Sequence, residues 1–386
     1  MKKLGLLPKL IIGIILGIII GTFFPEWFNR AFYTLTNIFG EFLIFIVPLI
    51  ILGFIIPGIA ELGKKAGKLL GTTVGIAYLS TLVAGIVAYL IGSNLLPAII
   101  AEGTIDTATN GGIEPFIDLE IPAIMEVMTA LVTSFVFGIG ISKVAGEDSA
   151  IFAIFDSIRD IITLVIETVI IPFLPVYIAG VFADMAFSGE VFATLGVFSQ
   201  VFVLVIVLHI TYLVGLYLIA GQISGKKPLK SLKNMLPAYT TALGTMSSAA
   251  TIPVTLKSAK SNDVSDEVAD FVIPLSATIH LAGSTITLVL CSIAVLLLSG
   301  GTPLFIEFLP FIVMLGLVMV AAPGVPGGAV MAALGLLTAI LGFGDSQQAL
   351  IIGLYMAQDG FGTACNVTGD GAIAIMVDAI SDKFSS

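Results

Sequence analysis

Long apolar runs, cut at intervals by glycine, proline and short charged clusters, organise the whole chain. Several reach the roughly 18 to 20 residues that a helix needs to cross a bilayer, so helices rather than a barrel are expected to carry the backbone. The pattern predicts spans near residues 9–24, 38–58, 69–96, 122–142, 150–183 and 192–221. A hairpin near 229–256, a span near 266–299, a second hairpin near 305–342 and a final span near 347–380 follow. The expected fold class is an all-α polytopic membrane protein with eight transmembrane helices and two re-entrant helical hairpins.

The hairpins are inferred from charge. Lys2, Lys3 and Lys9 precede the first span, Lys64, Lys65 and Lys68 follow the second, Lys143 follows the fourth, and Lys226, Lys227, Lys230 and Lys233 follow the sixth. Lysine and arginine mark cytoplasmic connections, whereas 98–121 and 184–190 carry acids and no lysine and are placed outside. The clusters Lys226–Lys233 and Lys257–Lys260 are both basic, yet the stretch between them is mostly apolar and holds Thr245, Ser247, Ser248, Thr251 and Pro253. Such a segment is expected to enter and return, with an ordinary kinked span as the alternative. Likewise 300–307 and 342–348 lack lysine and bracket an apolar segment broken at Ala321 to Gly328. A non-helical tip at membrane depth requires surrounding protein or a cavity.

Composition fixes the compartment. With 58% hydrophobic and 11% charged residues the chain cannot offer water a polar surface, so an integral membrane protein with the lipid bilayer as a partner is expected. The lysines before the first apolar run resemble the start of a signal peptide. No small-residue cleavage site follows, and Gly21 to Pro25 leads into another apolar segment, so the first helix is expected to be retained. Cys291 and Cys365 are the two cysteines and imply no disulfide framework. No soluble domain, cofactor motif or nucleic-acid patch is evident.

Two segments place polar groups inside apolar helices: Ala277 to Thr285, with His280, Gly283 and Ser284, and Ala364 to Asp370, with Asn366, Gly369 and Asp370. Hydrocarbon tolerates them only where they face protein or a water-filled site, and their recurrence suggests a midplane site at a repeat interface, as in secondary transporters. In the last span Asp359, Gly362, Thr363, Asn366 and Asp370 fall within about 100° of one another on a helix. Each buried carboxylate needs a cation, a donor or a proton, and a bound ammonium or alkali ion is the natural partner; an interhelical structural hydrogen bond is the alternative. Asp359 and Asp370 lie about 16 Å apart along one helix and cannot form an aspartyl-protease dyad, so no enzyme is expected. His209 is expected to be a helix-contact residue, and Asp378 and Asp382 to be solvated.

The strings MSSAATIPVT (Met246 to Thr255), PGVPGGAV (Pro323 to Val330) and DGFGTACNVTGD (Asp359 to Asp370) resemble the signatures of the dicarboxylate/amino acid:cation symporters, which move glutamate, aspartate and neutral amino acids. The motifs cover the second half, and the span and loop pattern extends the likeness over nearly the whole chain. The resemblance implies inverted repeats and a homotrimer of independently working protomers in the inner cell membrane, with both termini cytoplasmic. It further implies a scaffold of residues 1–68 and 97–190. A transport domain of 69–96 and 191–386 would move against it as an elevator.

Carried over residue by residue, the resemblance puts the substrate amino group on Asp359 and its carboxylate on Asn366. Ser247, Ser248 and Ser284, with Val325, Pro326 and Gly327 on the second hairpin, would add contacts, and Gly362 and Thr363 would line the pocket. Asn366 and Asp370 would form a sodium site, with Ser276, Thr278 and His280 beside it. Three departures shape the expectation. Gly362 stands where acidic-substrate members carry arginine, and Arg30 and Arg159 are the only arginines, so a neutral amino acid is expected. HLAGS stands where sodium-coupled relatives carry Asn-Met-Asp-Gly-Thr, with Ala282 replacing an ion-binding aspartate and Leu82 a serine, so one sodium site is expected to be lost. His280 replaces an asparagine; an imidazolium facing Asp370 would take the place of sodium, whereas a neutral ring would be a ligand or a core residue. The coupling ion is therefore a proton or sodium. An uncoupled facilitator of the same fold is the alternative.

Overall fold

The computed structural model describes residues 6–64, 68–100, 113–117, 119, 121–146, 148–189, 191–320, 322 and 326–385. All of its regular structure is helical: α1 (Leu6–Phe23), α2 (Glu26–Lys64), α3 (Lys68–Leu95), α4 (Val127–Gly140), α5 (Ala150–Val165), α6 (Ile171–Phe187), α7 (Val191–Ser224) and α8 (Pro228–Asn234). Then come α9 (Leu236–Thr245), α10 (Ser248–Lys260), α11 (Asp266–Ile279), α12 (Ala282–Leu298), α13 (Phe305–Met319), α14 (Gly328–Leu341) and α15 (Asp345–Ser385). Among the described residues, five stretches are long and apolar enough to cross a membrane: Glu26–Ala60, Leu69–Ala98, Ala150–Phe187, Thr194–Ser224 and Asp266–Leu298.

Three of these differ from the expected spans. The second helix starts at Glu26 rather than near 38, because its early polar residues are satisfied locally: Asn29 donates to the Phe24 carbonyl and Thr34 to that of Arg30. The expected span 150–183 is α5 and α6 joined by a wide turn at Ile166–Ile170, just before Pro172, whose missing N–H breaks the regular ladder. The expected continuous span 266–299 is broken at His280 and Leu281.

The two segments read as hairpins each form a packed helix pair, α9 with α10 and α13 with α14. The first turns at Met246, in left-handed geometry (φ 51°), and Ser247 caps α10 by accepting from the Ala250 N–H. Its base is clipped by Lys226, whose ammonium donates to the Asn262 and Asp263 carbonyls at 2.7 Å each and lies 3.8 Å from Asp378. Asp378 is therefore not solvated as expected. It is buried and accepts from the Ser265 N–H (3.2 Å) and hydroxyl (2.6 Å) at the start of α11.

Helices α1 and α6 meet backbone to backbone. Gly13, Gly17 and Gly21 recur every fourth residue, and a Cβ at each would strike the carbonyl oxygen of Pro175, Ala179 and Ala183 in turn. Small residues at this spacing let membrane helices approach closely. Helix α2 packs on α4, α5 and α6, whereas α3, α7 and α9–α12 gather around α15. Residues Ala349–Met356 of α15 contribute to one apolar cluster and Ala364–Val377 to another, so Asp359 and Thr363 lie between the two clusters.

Candidate functional site

Tyr355, Asp359, Thr363, Asn366 and Asp370 follow one another at spacings of four, four, three and four residues, which sets them in a single stripe on α15. All five are buried.

Asp359 accepts at Oδ2 from the Gly327 N–H, 2.7 Å away at the tip of the second hairpin, with Tyr355 and Thr363 as hydrogen-bonding neighbours one turn to either side. Gly327 holds φ 77°, which disfavours any residue with a side chain, and a Cβ there would lie 2.7 Å from the Met356 sulfur. Glycine thus lets the tip reach the carboxylate.

Asn366 holds the broken helix. The backbone at His280 (φ −108°, ψ 89°) and Leu281 (φ −114°, ψ 45°) leaves the helical region, and α12 restarts at Ala282. A restarted helix has unpaired N–H groups, and those of Gly283 (2.8 Å) and Ser284 (3.3 Å) both donate to Asn366 Oδ1. Asn366 Nδ2 donates to Ser284 Oγ at 3.0 Å, and the same oxygen accepts from the Tyr355 hydroxyl at 3.0 Å. A Cβ at Gly283 would lie 2.5 Å from the Gly362 carbonyl, so α12 is seated directly on the α15 backbone.

On the other side of the break, His280 Nδ1 lies 3.0 Å from Asp370 Oδ1, with both side chains fully buried. Nε2 lies 3.2 Å from Ser80 Oγ on α3 and 3.3 Å from the Tyr212 hydroxyl on α7, and these two hydroxyls are 2.5 Å apart. The proton count closes for a neutral ring. A carboxylate only accepts, so Nδ1 carries the proton; one hydroxyl then donates to the other, which donates to Nε2. Gly369 makes room, since a Cβ there would stand 2.6 Å from His280 Cε1.

Asp370 Oδ2, Ser276 Oγ and Thr368 Oγ1 are buried without a hydrogen-bond partner among the described residues. An orphaned carboxylate oxygen in a dry interior is strongly unfavourable until a cation or proton meets it. Asp370 therefore fits the expected sodium site. The Asn366 amide oxygen, expected beside it, already accepts two N–H groups.

The remaining expected residues are placed as follows. Ser284 joins the Asn366 network, and Ser248 is buried in the first turn of α10. Gly362 faces Ser284, which a Cβ would meet at 3.6 Å. Pro326 adjoins Gly327 in the turn, and Val325 lies outside the described residues. Thr278 is exposed, with its hydroxyl on the Leu275 carbonyl, away from buried Ser276 and His280. His209 is a helix-contact residue: Nε2 lies 2.9 Å from the Gly283 carbonyl. Sequence reasoning missed Tyr355, Ser80 and Tyr212. The first carried a signal, being one turn before Asp359 on the same stripe.

The sodium:dicarboxylate symporter family matches residues 6–380. The chain is 28% identical over 256 residues to excitatory amino acid transporter 1 of Ambystoma tigrinum, covering 65% of this chain and 46% of that protein. It is 27% identical over 267 residues to neutral amino acid transporter B(0) of Homo sapiens, covering 68% of this chain and 49% of that protein. The chain spans about half the length of the curated relatives it matches.

Proposed function

The chain belongs to the sodium:dicarboxylate symporter family, and from that premise we propose that it is a secondary active transporter carrying a neutral amino acid together with a monovalent cation. The observation that carries this reading is Asp359: a buried carboxylate, at the meeting of two apolar clusters, bonded to the tip of a hairpin. A substrate ammonium supplies the charge partner that such a group needs, and hairpin-tip N–H groups suit the substrate carboxylate.

A neutral side chain follows from the absence of a guanidinium. Arg30 lies on α2 and Arg159 on α5, so neither belongs to the helices around α15. An anionic side chain in this pocket would be buried without a partner. The cation is assigned to Asp370 Oδ2, and sodium is the first candidate from the family; the buried His280–Asp370 pair makes a proton the second. Eight spans with two re-entrant hairpins form the fold. The packing supports an elevator division, with α1, α2 and α4–α6 as the scaffold and α3 with α7–α15 as the moving part. A homotrimer in the cell membrane completes the reading.

A thermal-shift screen of the twenty amino acids tests substrate and ion together, each with and without sodium at two pH values. Stabilisation by one or more neutral amino acids, enhanced by sodium or by acid, is expected. No response to any α-amino compound defeats the proposal.

A further inference from the structure

We infer that Ser80 and Tyr212 are positioning residues that hold the His280 ring in one orientation and tautomer, with its Nδ1–H fixed on Asp370 Oδ1, so that Asp370 presents Oδ2 alone to the cation. The inference rests on the assignment of the cation to Asp370. It goes beyond that assignment by naming what orients the carboxylate.

Four elements converge here. Ser80 comes from α3, Tyr212 from α7, His280 from the gap between α11 and α12, and Asp370 from α15. Nothing in the local helices dictates how the imidazole turns, because its backbone is non-helical at that point. The ring is fixed instead by its contacts. Nε2 has both hydroxyls within 3.3 Å, and the hydroxyls lie 2.5 Å apart. When Nε2 accepts, one hydroxyl donates to it and the other donates to the first, so both hydroxyl protons lie within the triangle; if Nε2 were protonated, one hydroxyl proton would have to point out of it. The arrangement thus selects Nδ1–H, and that proton meets Asp370 Oδ1.

The consequence falls on Asp370. A carboxylate with one oxygen tied to a fixed donor is held in one orientation, and its second oxygen has no hydrogen-bond partner among the described residues. Orienting a ligand through its own hydrogen-bond partner is how outer residues tune an ion site. Ser80 and Tyr212 contact the ring rather than the carboxylate, so their removal is expected to loosen the ligand while leaving the helix packing in place.

The chain holds two histidines, His209 and His280, so ¹⁵N-histidine labelling of this chain in detergent gives two imidazoles, assigned by loss of one in His209→Asn. In wild type, His280 is expected to show a protonated Nδ1 and a bare Nε2. Sodium chloride, exchanged for choline chloride at constant ionic strength, is then titrated while the melting temperature is followed. In Ser80→Ala and in Tyr212→Phe the half-saturating sodium concentration is expected to rise about fivefold, the equivalent of one lost hydrogen bond, with the His280 spectrum altered. Ser80→Thr, which keeps the hydroxyl, is expected to retain the wild-type values. A wild-type ring protonated on Nε2 overturns the inference, and so does unchanged sodium half-saturation in both hydroxyl-deleted variants. Failure of the underlying assignment looks different: Asp370→Asn then keeps the wild-type sodium response while the tautomer, read without sodium, is as expected.

Discussion

Gly327→Ala isolates the bond between the second hairpin and Asp359. The native φ of 77° lies in the left-handed region, where a residue with a Cβ pays roughly 1 to 2 kcal/mol. The new methyl would also stand 2.7 Å from the Met356 sulfur, a flexible neighbour that can yield part of the way. The tip relieves both by lifting, which breaks the 2.7 Å bond to the carboxylate. If the bond to a charged acceptor contributes about 1.5 to 3 kcal/mol, the strain is comparable to what holds the tip down. The opening equilibrium should shift by about 1 to 2 kcal/mol, or roughly five- to thirtyfold. Amide hydrogen exchange over residues 326–335, without substrate, reads that population directly. Faster exchange there, with α15 unchanged beyond Ala364, is expected. Unchanged exchange at the tip would show that Asp359 does not latch the hairpin.

Three further substitutions probe separate parts of the account. Gly362→Arg should move preference toward aspartate or glutamate in a competition panel, because the first side-chain atom meets Ser284 at an ordinary 3.6 Å and the stem can continue past it; unchanged selectivity counts against the pocket assignment. Tyr355→Phe removes the hydroxyl that donates to Ser284 and neighbours Asp359, and should weaken amino-acid affinity about fivefold in a binding titration, in line with one neutral hydrogen bond. Gly17→Val forces α1 off the Ala179 carbonyl and should lower stability by about 1 to 3 kcal/mol, seen as a lower melting temperature without a change in substrate preference.

Much of the architecture was legible in the sequence because its causes are local. Apolar length placed α1, α3 and α7, and paired basic clusters pointed to a chain reversal where Met246 and Ser247 turn α9 into α10. The stripe on α15 followed from helical periodicity alone. The break at His280 was hidden, since neither His280 nor Leu281 is a helix breaker. It is imposed from α15, where Asn366 captures the N–H groups of Gly283 and Ser284 and Asp370 captures the imidazole. Ser80 and Tyr212 were hidden for the same reason: they reach His280 from 200 and 68 residues away. Asp378 looked like a solvated residue near the C-terminus, and only tertiary packing places it against Ser265.

The central claim is that Asp359 is the charge partner of a transported amino acid. Purified protein in sealed liposomes, given an inward sodium gradient or an acid exterior, should accumulate a labelled neutral amino acid above its external concentration, and Asp359→Asn should abolish that accumulation while retaining the wild-type fold. Accumulation by Asp359→Asn equal to wild type would contradict the account. Uptake that only equilibrates under both gradients would contradict its coupling to a cation.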